Sequence, residues 1–485
     1  MQNGAGDISR ERSWTTRTLQ ALALALAALC CAGQGAGAEI GKGHRLLITN
    51  GLQIQACVTR DDTFHLETLM AANYTAVNWI WHANPAWLGT PPGRIQWGSW
   101  IGDEASVPPR PGEEPYMSRL VSLSLGDEWH INDEATRSRL VTWFDTVRDI
   151  YPDTILHHNN WGTQIGDANL VDFIQRARPD MLCFDTYPWR LDYATRVPLS
   201  GSPTAWYTDL RRYRVHAVQN GLPLGTYRQT FHAIQDYDKT AYRDPSPAEL
   251  WLNTLGALAF GVTFFADFTY NTGASSLFTP PGGDSTPTAL YHELARVNAE
   301  ARNLGKALVH MTPLDRAPNG ARPTTDVLLL RGQTRQADGT AALNPLPNGF
   351  VPDAESPATS DWRHQRNDPW LTGWTWRNLG EKNDGLPGDV IVAWFRPLDE
   401  TLSSEIYLMV VNGLVTADSS PRDCRQRVTL DFRTEMKFVQ ILSRRTAEVQ
   451  VVPLTILDAK KRLTLDLNGG SGELLKLDTG LPFVH

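Results

Sequence analysis

Short, almost continuous hydrophobic runs alternate with segments of helical periodicity over the first two thirds of the chain. The clearest run covers residues 120–125, with apolar side chains at positions 120, 121, 123 and 125. Such a run fits a strand that is buried on both faces of a parallel sheet. It ends at Gly126 and continues with two carboxylates and an aromatic residue, Asp127, Glu128 and Trp129. Because parallel α/β folds collect functional groups at the carboxyl ends of their strands, this stretch predicts part of a functional site.

The same alternation extends on both sides of this stretch. Strand-like runs occur at residues 46–58, 75–82, within the loop 89–115, and at 120–125, 154–161, 181–189, 223–232 and 261–270. Helical periodicity occurs at residues 63–73, 133–150, 169–177, 207–219, 246–260 and 286–305. About eight strands in roughly 260 residues is the rhythm of an α/β (β/α)8 TIM barrel. A doubly wound sheet usually carries a glycine-rich turn after its first strand, and the sequence has none there.

Two helices of this series have explicit start signals. Ser246 and Glu249 form a capping-box pattern, with Pro247 at the first helical position. Thr286 precedes Pro287 and is predicted to cap the last helix.

From about residue 311 the helical patterns stop and prolines recur along the chain. Strand-like runs then follow at residues 326–331, 390–395, 405–411, 427–432, 437–442, 449–452, 463–467 and 473–477. Strands at this spacing without helices between them are typical of an antiparallel β-sandwich. We therefore predict a barrel at residues 39–310, followed by a loop-rich linker and a C-terminal antiparallel β-sandwich domain at residues 311–485.

The N-terminal segment has the pattern of a secretory signal peptide. Three arginines precede an apolar run at residues 19–31, and a small-x-small cleavage motif ends at Ala38. The run is short for a transmembrane helix. The residues that precede Cys30 and Cys31 fit a lipidation signal poorly. We therefore predict that residues 1–38 are removed and that the mature protein, without a membrane span, is secreted or periplasmic.

Charge and cysteine content exclude several classes of function. The formal net charge is -8, whereas nucleic-acid binding needs a concentrated basic face. The predicted mature chain has three cysteines, Cys57, Cys183 and Cys424, without the spacing of metal ligands. Cys57 and Cys183 lie in apolar runs and are predicted to be buried thiols. The sequence indicates no metal and no cofactor.

The predicted strand ends carry carboxylates, amides and many aromatic side chains, and no nucleophile-elbow serine. These candidates are Trp81, His82, Asp127, Glu128, Trp129, Asn160, Trp161, Asp185, Tyr187, Trp189, Tyr227, Arg228, Gln229, Asp267 and Tyr270. Glycoside hydrolysis requires one protonated and one ionised carboxyl group. Aromatic faces can stack on sugar rings, while amides and Arg228 can bond hydroxyl groups. The predicted partner is therefore a carbohydrate substrate.

Two motifs carry a resemblance to a known superfamily. Gly126-Asp127-Glu128-Trp129 resembles the Gly-Asp-Glu-Pro motif that ends the fourth strand of many (β/α)8 glycoside hydrolases, and Asp185-Thr186-Tyr187-Pro188 resembles their sixth-strand Asp-x-Tyr-Pro motif. The C-terminal strands are similar to their accessory β-domain. The resemblance implies a secreted glycosidase that cleaves a poly- or oligosaccharide, with Glu128 as general acid/base. Burial near Trp129 and the charge of Asp127 are expected to raise the pKa of Glu128.

The sequence departs from this superfamily at two positions. Trp129 replaces the usual proline, and Gln229 stands where the best-known clan carries its seventh-strand glutamate nucleophile. The second carboxylate must come from elsewhere, and Asp185 is the first candidate, followed by Asp267. A carboxyl separation of about 5 Å would predict retention of configuration, and about 6.5–9.5 Å would predict inversion.

Three alternatives remain open. In the first, an acetamido group of the substrate is the nucleophile, Asp127 orients it and Glu128 is the acid. In the second, the barrel binds carbohydrate without catalysis. In the third, which the spacing of His and Asp residues supports less well, the barrel is a metal-dependent hydrolase. Single residues also have structural interpretations, since Trp129 and Trp189 could pack under a lid and Asp185 could cap the loop before Pro188.

Overall fold

The structure is a computed structural model in which residues 40–60, 63–80, 95–199, 201–280, 286–316, 324–325, 327–350, 371–402, 404–457, 460–477 and 481–484 are described. The predicted signal peptide at 1–38 and the candidate residues Trp81 and His82 lie outside this part of the chain. Within it, no helix is long and apolar enough to span a lipid bilayer.

Eight strands form a closed parallel barrel, which confirms the predicted fold. Each strand pairs with the next one along the chain, and the eighth pairs with the first. The strands are β1 Gln53–Val58, β2 Ala76–Ile80, β3 Gln96–Ile101, β4 Leu120–Asp127, β5 Ile155–Trp161, β6 Leu182–Asp185, β7 Leu224–Gln229 and β8 Val262–Phe268. Most of their residues are buried on both faces, as the hydrophobic runs predicted.

Helices surround this barrel on its outer side. They are α1 Lys42–Asn50, α2 Leu66–Ala71, α3 Glu134–Arg148, α4 Asp167–Ala177, α5 Thr204–Gln219, α6 with α-helical Pro247–Trp251 and Ala257–Ala259 around a π-helical turn Leu252–Gly256, and α7 Ala289–Leu308. The connection from β3 to β4 contains a short 3-10 helix, Glu114–Arg119, instead of an α-helix.

The capping prediction is confirmed for one helix and wrong for another. Ser246 and Glu249 form the predicted capping box of α6. Helix α7 is capped by Thr288, whose hydroxyl accepts the backbone N–H of Tyr291, and not by Thr286. The sequence also misassigned residues 46–50 as strand. These residues belong to α1, which ends where Gly51 adopts a positive φ of 81° and donates its N–H to Leu47.

Most of the C-terminal strands form two antiparallel sheets, as predicted, and two further strand pairs, Asp315–Arg316 with Thr324–Thr325 and Gln333–Arg335 with Ala341–Leu343, form separate two-stranded sheets. The central sheet has the order Met311–Pro313, Val390–Pro397, Tyr407–Asn412, Gly472–Leu477, Phe438–Leu442 and Val449–Pro453, with Val327–Leu330 also paired to Val390–Pro397. The outer sheet has the order Leu371–Asn378, Gln426–Phe432, Lys460–Leu467 and Thr455–Leu457. The first strand of the outer sheet was not predicted from the sequence.

The central sheet is buried on both faces because its side chains alternate. Along the strand Val390–Pro397, Val390, Val392 and Trp394 join the core of the sandwich. The intervening Ile391, Ala393 and Phe395 join the core that also contains the barrel. The sandwich and the barrel therefore share hydrophobic packing, and the described residues from Gly41 onward belong to one compact unit. For this reason the domain boundary at 310/311 stays a prediction.

Candidate active site

The end of β4 turns sharply because the residues on either side of Asp127 adopt positive φ angles. Gly126 has φ 71° and Glu128 has φ 49°. A Cβ atom on Gly126 would lie 2.9 Å from the indole ring of Trp129, so glycine is required there on both grounds. The backbone N–H of Glu128 donates to the carbonyl oxygen of Asn159 at 3.0 Å. A non-glycine residue at positive φ is uncommon and often marks a functional site, and here it leaves the Glu128 side chain exposed.

Asp127 lies beside Glu128 and is held by the neighbouring strand. Its Oδ1 accepts a hydrogen bond from Nδ2 of Asn159 at 2.9 Å. The side chain reaches solvent at the barrel mouth, but protein surrounds it on most sides. This burial, with a smaller contribution from the charge of Glu128, raises the pKa of Asp127 to about 6, although the bond from Asn159 opposes the shift.

Asp185, at the end of β6, completes a cluster of three carboxyl groups. Its side chain is only 4% exposed. Glu128, Asp127 and Tyr187 are its polar neighbours, and its buried Oδ1 has no hydrogen-bond partner among the described residues. Burial, followed by the charges of Glu128 and Asp127, raises the pKa of Asp185 well above its ordinary value. Burial and the two neighbouring charges therefore favour the protonated form of Asp185.

The backbone that carries Asp185 is closely packed. Its carbonyl oxygen accepts the N–H of Gly162 at 2.9 Å, and the hydroxyl of the next residue, Thr186, donates to Asp209 at 2.7 Å. A Cβ atom on Gly162 would lie 2.3 Å from both Thr186 Oγ1 and Asp209 Oδ2. The position of Asp185 is thus fixed by its neighbours, as a catalytic group requires.

Aromatic side chains form a wall beside the carboxyl cluster. The ring of Tyr187 lies 5.0 Å from Phe231, 6.0 Å from Tyr242 and 6.1 Å from Phe268. Tyr227, from β7, is buried among the same groups, and burial with the charges of Cys57 and Asp127 raises its pKa. Only Tyr187 and Tyr227 of these rings were predicted. Phe268 directly follows the candidate Asp267, so the strand-end rule could have included it.

Gln229 is bound to the protein on both ends of its amide. Its Nε2 donates to the carbonyl oxygens of Trp189 at 2.9 Å and Arg243 at 2.8 Å, and its Oε1 accepts the N–H of Trp189 at 3.0 Å. Both Gln229 and Trp189 are almost completely buried. The seventh-strand position therefore joins the loops after β6 and β7 and presents no free group to the mouth.

Arg228, Asp267 and Tyr270 lie on the helical side of the barrel wall, away from the carboxyl cluster. Two nitrogens of Arg228 donate to the two carboxylate oxygens of Asp267, at 2.5 and 2.7 Å. Tyr74 donates to the same carboxylate at 2.7 Å, and Arg228 also bonds Thr254. All three candidates are 0% exposed. The structure thus does not bring Asp267 together with Glu128.

The remaining predicted residues divide between the mouth and its supports. Trp161 is 49% exposed at the end of β5, and Asn160 below it is fully buried with its Nδ2 near the carbonyl of Cys183 at 3.4 Å. Trp129 packs away from the carboxyl groups, with its ring 5.5 Å from Trp143 and the guanidinium of Arg139 4.7 Å from its centre.

The histidines of β5 are neutral and buried. Nδ1 of His158 faces the carbonyl oxygen of Leu125 at 2.7 Å, and burial lowers the pKa of His158 to about 4 and that of His157 to about 3. Across the described part of the chain, no group of His, Cys, Asp and Glu side chains could hold a metal ion.

Comparisons with known proteins found similar structures but no similar sequence. No protein-family model matches the chain, and the search of curated proteins found no match. Among solved structures, a β-galactosidase from Bacillus circulans sp. alkalophilus is 9% identical, with 88% of this chain and 99% of that chain covered and a TM-score of 0.46. A glycoside hydrolase family 5 protein from Bacteroides vulgatus is 10% identical, with 89% and 88% covered and a TM-score of 0.37. Similarity at this level concerns the fold, and an activity has to be inferred from the residues at the barrel mouth.

Proposed function

We propose that the protein is a glycosidase whose catalytic pair is Asp185 and Glu128. The observation that carries this proposal is the grouping of a buried carboxyl group, Asp185, with two exposed ones, Glu128 and Asp127, at the mouth of the barrel, near enough for their charges to raise the pKa of Asp185. One acid that keeps its proton and one that can be ionised are what cleavage of a glycosidic bond needs.

The roles differ from those that the sequence suggested. Burial falls on Asp185 and not on Glu128, so Asp185 is the proton donor and Glu128 is the nucleophile. In the first step Asp185 gives its proton to the glycosidic oxygen, that C–O bond breaks, and Glu128 forms a bond to the anomeric carbon. In the second step Asp185 takes a proton from water, and the water oxygen replaces Glu128.

The strong influence of the Glu128 charge on Asp185 supports a short separation of the two carboxyl groups, which favours retention of configuration. An inverting enzyme separates its carboxyls by about 6.5–9.5 Å so that water fits between them and the sugar, whereas a retaining enzyme needs only about 5–5.5 Å. Two carboxyl groups that influence each other this strongly fit the shorter, retaining spacing better than the longer one. The wall of Tyr187, Phe231, Tyr242 and Phe268 would stack on the sugar.

Substrate assistance is a second candidate, supported by the anchoring of Asp127. Asn159 fixes one oxygen of this carboxylate, and its pKa of about 6 lets it accept or share a proton at neutral pH. Asp127 would then orient a substrate acetamido group, and the acid would be a neighbouring carboxyl. The predicted signal peptide would place either activity outside the cytoplasm, on a poly- or oligosaccharide.

The first experiment compares the purified protein with Asp185→Asn and Glu128→Gln on nitrophenyl α- and β-glycosides of glucose, galactose, mannose, xylose and N-acetylglucosamine. Loss of a general acid or nucleophile should lower kcat by about 100-fold or more. Asp103→Asn is the matched control, since Asp103 lies on an exposed loop and accepts only local bonds from Ala105 and Ser106. Equal activity of all four proteins would contradict the proposal.

Leaving-group dependence then assigns the roles. A dinitrophenyl leaving group needs no protonation, so Asp185→Asn should recover much of its rate on that substrate, whereas Glu128→Gln should stay inactive. The reverse pattern would exchange the two roles. Turnover confined to N-acetylglucosaminides, with Asp127→Asn inactive, would establish the acetamido-assisted mechanism.

A further inference from the structure

A small antiparallel sheet extends the loops after β6 and β7 above the barrel mouth. It consists of Arg190–Leu191, Thr240–Tyr242 and Ala233–Gln235, and Leu191 also forms a bridge with Pro198. Among the described residues, twelve large hydrophobic side chains are classed as exposed, and four of them lie on this excursion: Val197, Leu199, Ile234 and Tyr237. Such a concentration on one loop pair differs from hydrophobic residues scattered singly over a surface.

The strand register places two of these side chains on the same face as Tyr242. Tyr242 is opposite Arg190. The N–H of Leu199 donates to the carbonyl of Arg190 at 3.0 Å, and Asp192 pairs in the same way with Val197 at 2.8 Å. Directly opposed residues of antiparallel strands point to one face. Tyr242, Arg190, Leu199 and Val197 therefore form one surface, which we name the ledge.

The ledge is continuous with the carboxyl cluster. Tyr187, a polar neighbour of Asp185, packs against Tyr242 with the ring centres 6.0 Å apart. The guanidinium of Arg190 lies 5.3 Å from the ring of Tyr242 and covers part of it. From Tyr242 the ledge crosses two more strand positions to Leu199, a distance of about 10 Å at the usual strand spacing. A substrate bound at Asp185 could reach Leu199 with the group next to the scissile bond.

The outer end of the ledge, Val197 and Leu199, selects an apolar occupant, because the carboxylate of Asp192 on the same face is bonded to the backbone of Ala194 and Thr195 and the guanidinium of Arg190 lies against Tyr242. Its exposed outer members are aliphatic, with Leu199 52% and Val197 59% exposed. Aliphatic side chains offer neither a flat ring for a sugar face nor a partner for sugar hydroxyl groups, and desolvating unpaired hydroxyls is costly. A hydrocarbon chain or ring would instead gain from removing these side chains from water.

We propose that the ledge is the leaving-group subsite of the enzyme and that the substrate class is amphipathic glycosides, which carry an aliphatic or aromatic aglycone. This inference rests on the proposed function, since the sugar would occupy the carboxyl cluster and the aglycone the ledge. It adds the nature of the group on the far side of the cleaved bond.

The test compares octyl and methyl glycosides of the sugar that the nitrophenyl panel selects. The ratio of kcat/KM for octyl over methyl should exceed one in the unchanged protein and fall about tenfold in the double variant Val197→Ser/Leu199→Ser, mainly through KM. Because the ratio compares two substrates of the same protein, a general loss of activity does not change it. Ile456→Ser is the matched control, because Ile456 is 72% exposed on the outer sheet and should leave the ratio unchanged.

The outcomes separate failure of the subsite from failure of the proposed function. An unchanged ratio in the double variant overturns the assignment of the ledge as a leaving-group subsite, as does higher activity on oligosaccharides than on octyl glycosides.

Other results would assign these side chains differently. A lower free energy of unfolding with an unchanged ratio would show that other parts of the chain cover them, and concentration-dependent dimerisation lost in the variant would assign them to a second copy. Absence of turnover on every glycoside overturns the proposed function, and calorimetric binding of octyl glucoside to the unchanged protein but not to the double variant would then still support the ledge.

Discussion

Asp185 and Asp267 are two buried aspartates at strand ends of the same barrel, and they have opposite surroundings. The carboxylate of Asp267 receives two bonds from Arg228 and one from Tyr74. The carboxyl of Asp185 has Glu128 and Asp127 as neighbours, and its Oδ1 has no hydrogen-bond partner among the described residues. Asp267 has its charge compensated, whereas Asp185 is placed beside charges of its own sign.

The difference shows that burial alone does not identify a catalytic acid. A buried ion pair holds the charged form of a carboxylate and makes it part of the architecture. A buried carboxyl beside other carboxyls favours the protonated form, and the like charges around it are a stability cost that an active site tolerates. The sign of the neighbouring charges therefore separates the structural aspartate from the candidate acid.

The largest expected contrast is in stability. Asp267→Asn leaves the buried guanidinium of Arg228 without its counter-charge, and the free energy of unfolding should fall by about 3–5 kcal/mol. Asp185→Asn removes a carboxyl from a cluster of like charges and should not lower it. Urea unfolding of both variants makes the comparison. Should Asp267→Asn fail to fold, the double variant Asp267→Leu/Arg228→Met, which removes both charges, should fold. Equal destabilisation by the two single variants would contradict the conclusion that Asp267 is structural and Asp185 is not.

A smaller effect is expected at the seventh strand. Gln229→Glu would restore the residue type of the best-known clan but would aim a carboxylate at the carbonyl oxygens of Trp189 and Arg243. We expect a loss of about 1–3 kcal/mol in the free energy of unfolding and no gain in activity. Gln336→Glu, on an exposed turn, is the control and should change neither quantity. A rise in kcat for Gln229→Glu would show that this position can reach the substrate after all.

The positions of the acidic residues along the chain, at the ends of hydrophobic strands, could be predicted from the sequence. The runs that became β4 and β6 are hydrophobic throughout and end in acids, so Asp127, Glu128 and Asp185 could be assigned to one edge of a barrel. The sequence could not give the side of the barrel wall to which a strand-end residue points. Asp267 and Arg228 share a register position, and Arg228 bonds both Asp267 and Thr254 in the helical layer, which depends on how β7 and β8 pair.

The sequence also could not show which carboxyl group at the barrel mouth is buried. Glu128 was expected to be the buried acid, yet its left-handed backbone turns the side chain outward, while the neighbouring strands enclose Asp185. The aromatic wall was missed because Phe231 and Tyr242 come from the loop after β7, beyond the strand itself. Residues 46–50 were predicted as strand although they belong to α1, because the apolar residues 46–48 fit both a strand and a short helix.

The smallest expected effect is the pH dependence of stability that Asp127 contributes. Its pKa of about 6 in the folded protein exceeds the ordinary value of 3.8, so the folded state binds more protons than the unfolded state between these values. The stability contribution is therefore complete below about pH 4 and is lost as the pH rises through about 6. The free energy of unfolding of the unchanged protein, measured relative to Asp127→Asn, should fall across that interval.

Asp133 provides a control of opposite sign. It caps α3 by accepting the N–H of Thr136 at 2.8 Å, and this bond, with a second one from the Thr136 hydroxyl, lowers its pKa. Its contribution is present above the ordinary pKa and is lost on acidification, so stability relative to Asp133→Asn should rise with pH. Urea unfolding at closely spaced pH values between about 3 and 8 would measure both differences. Parallel slopes for the two aspartates would mean that Asp127 is paired in the folded protein like a cap, and that the carboxyl cluster does not hold the raised pKa on which the proposed chemistry depends.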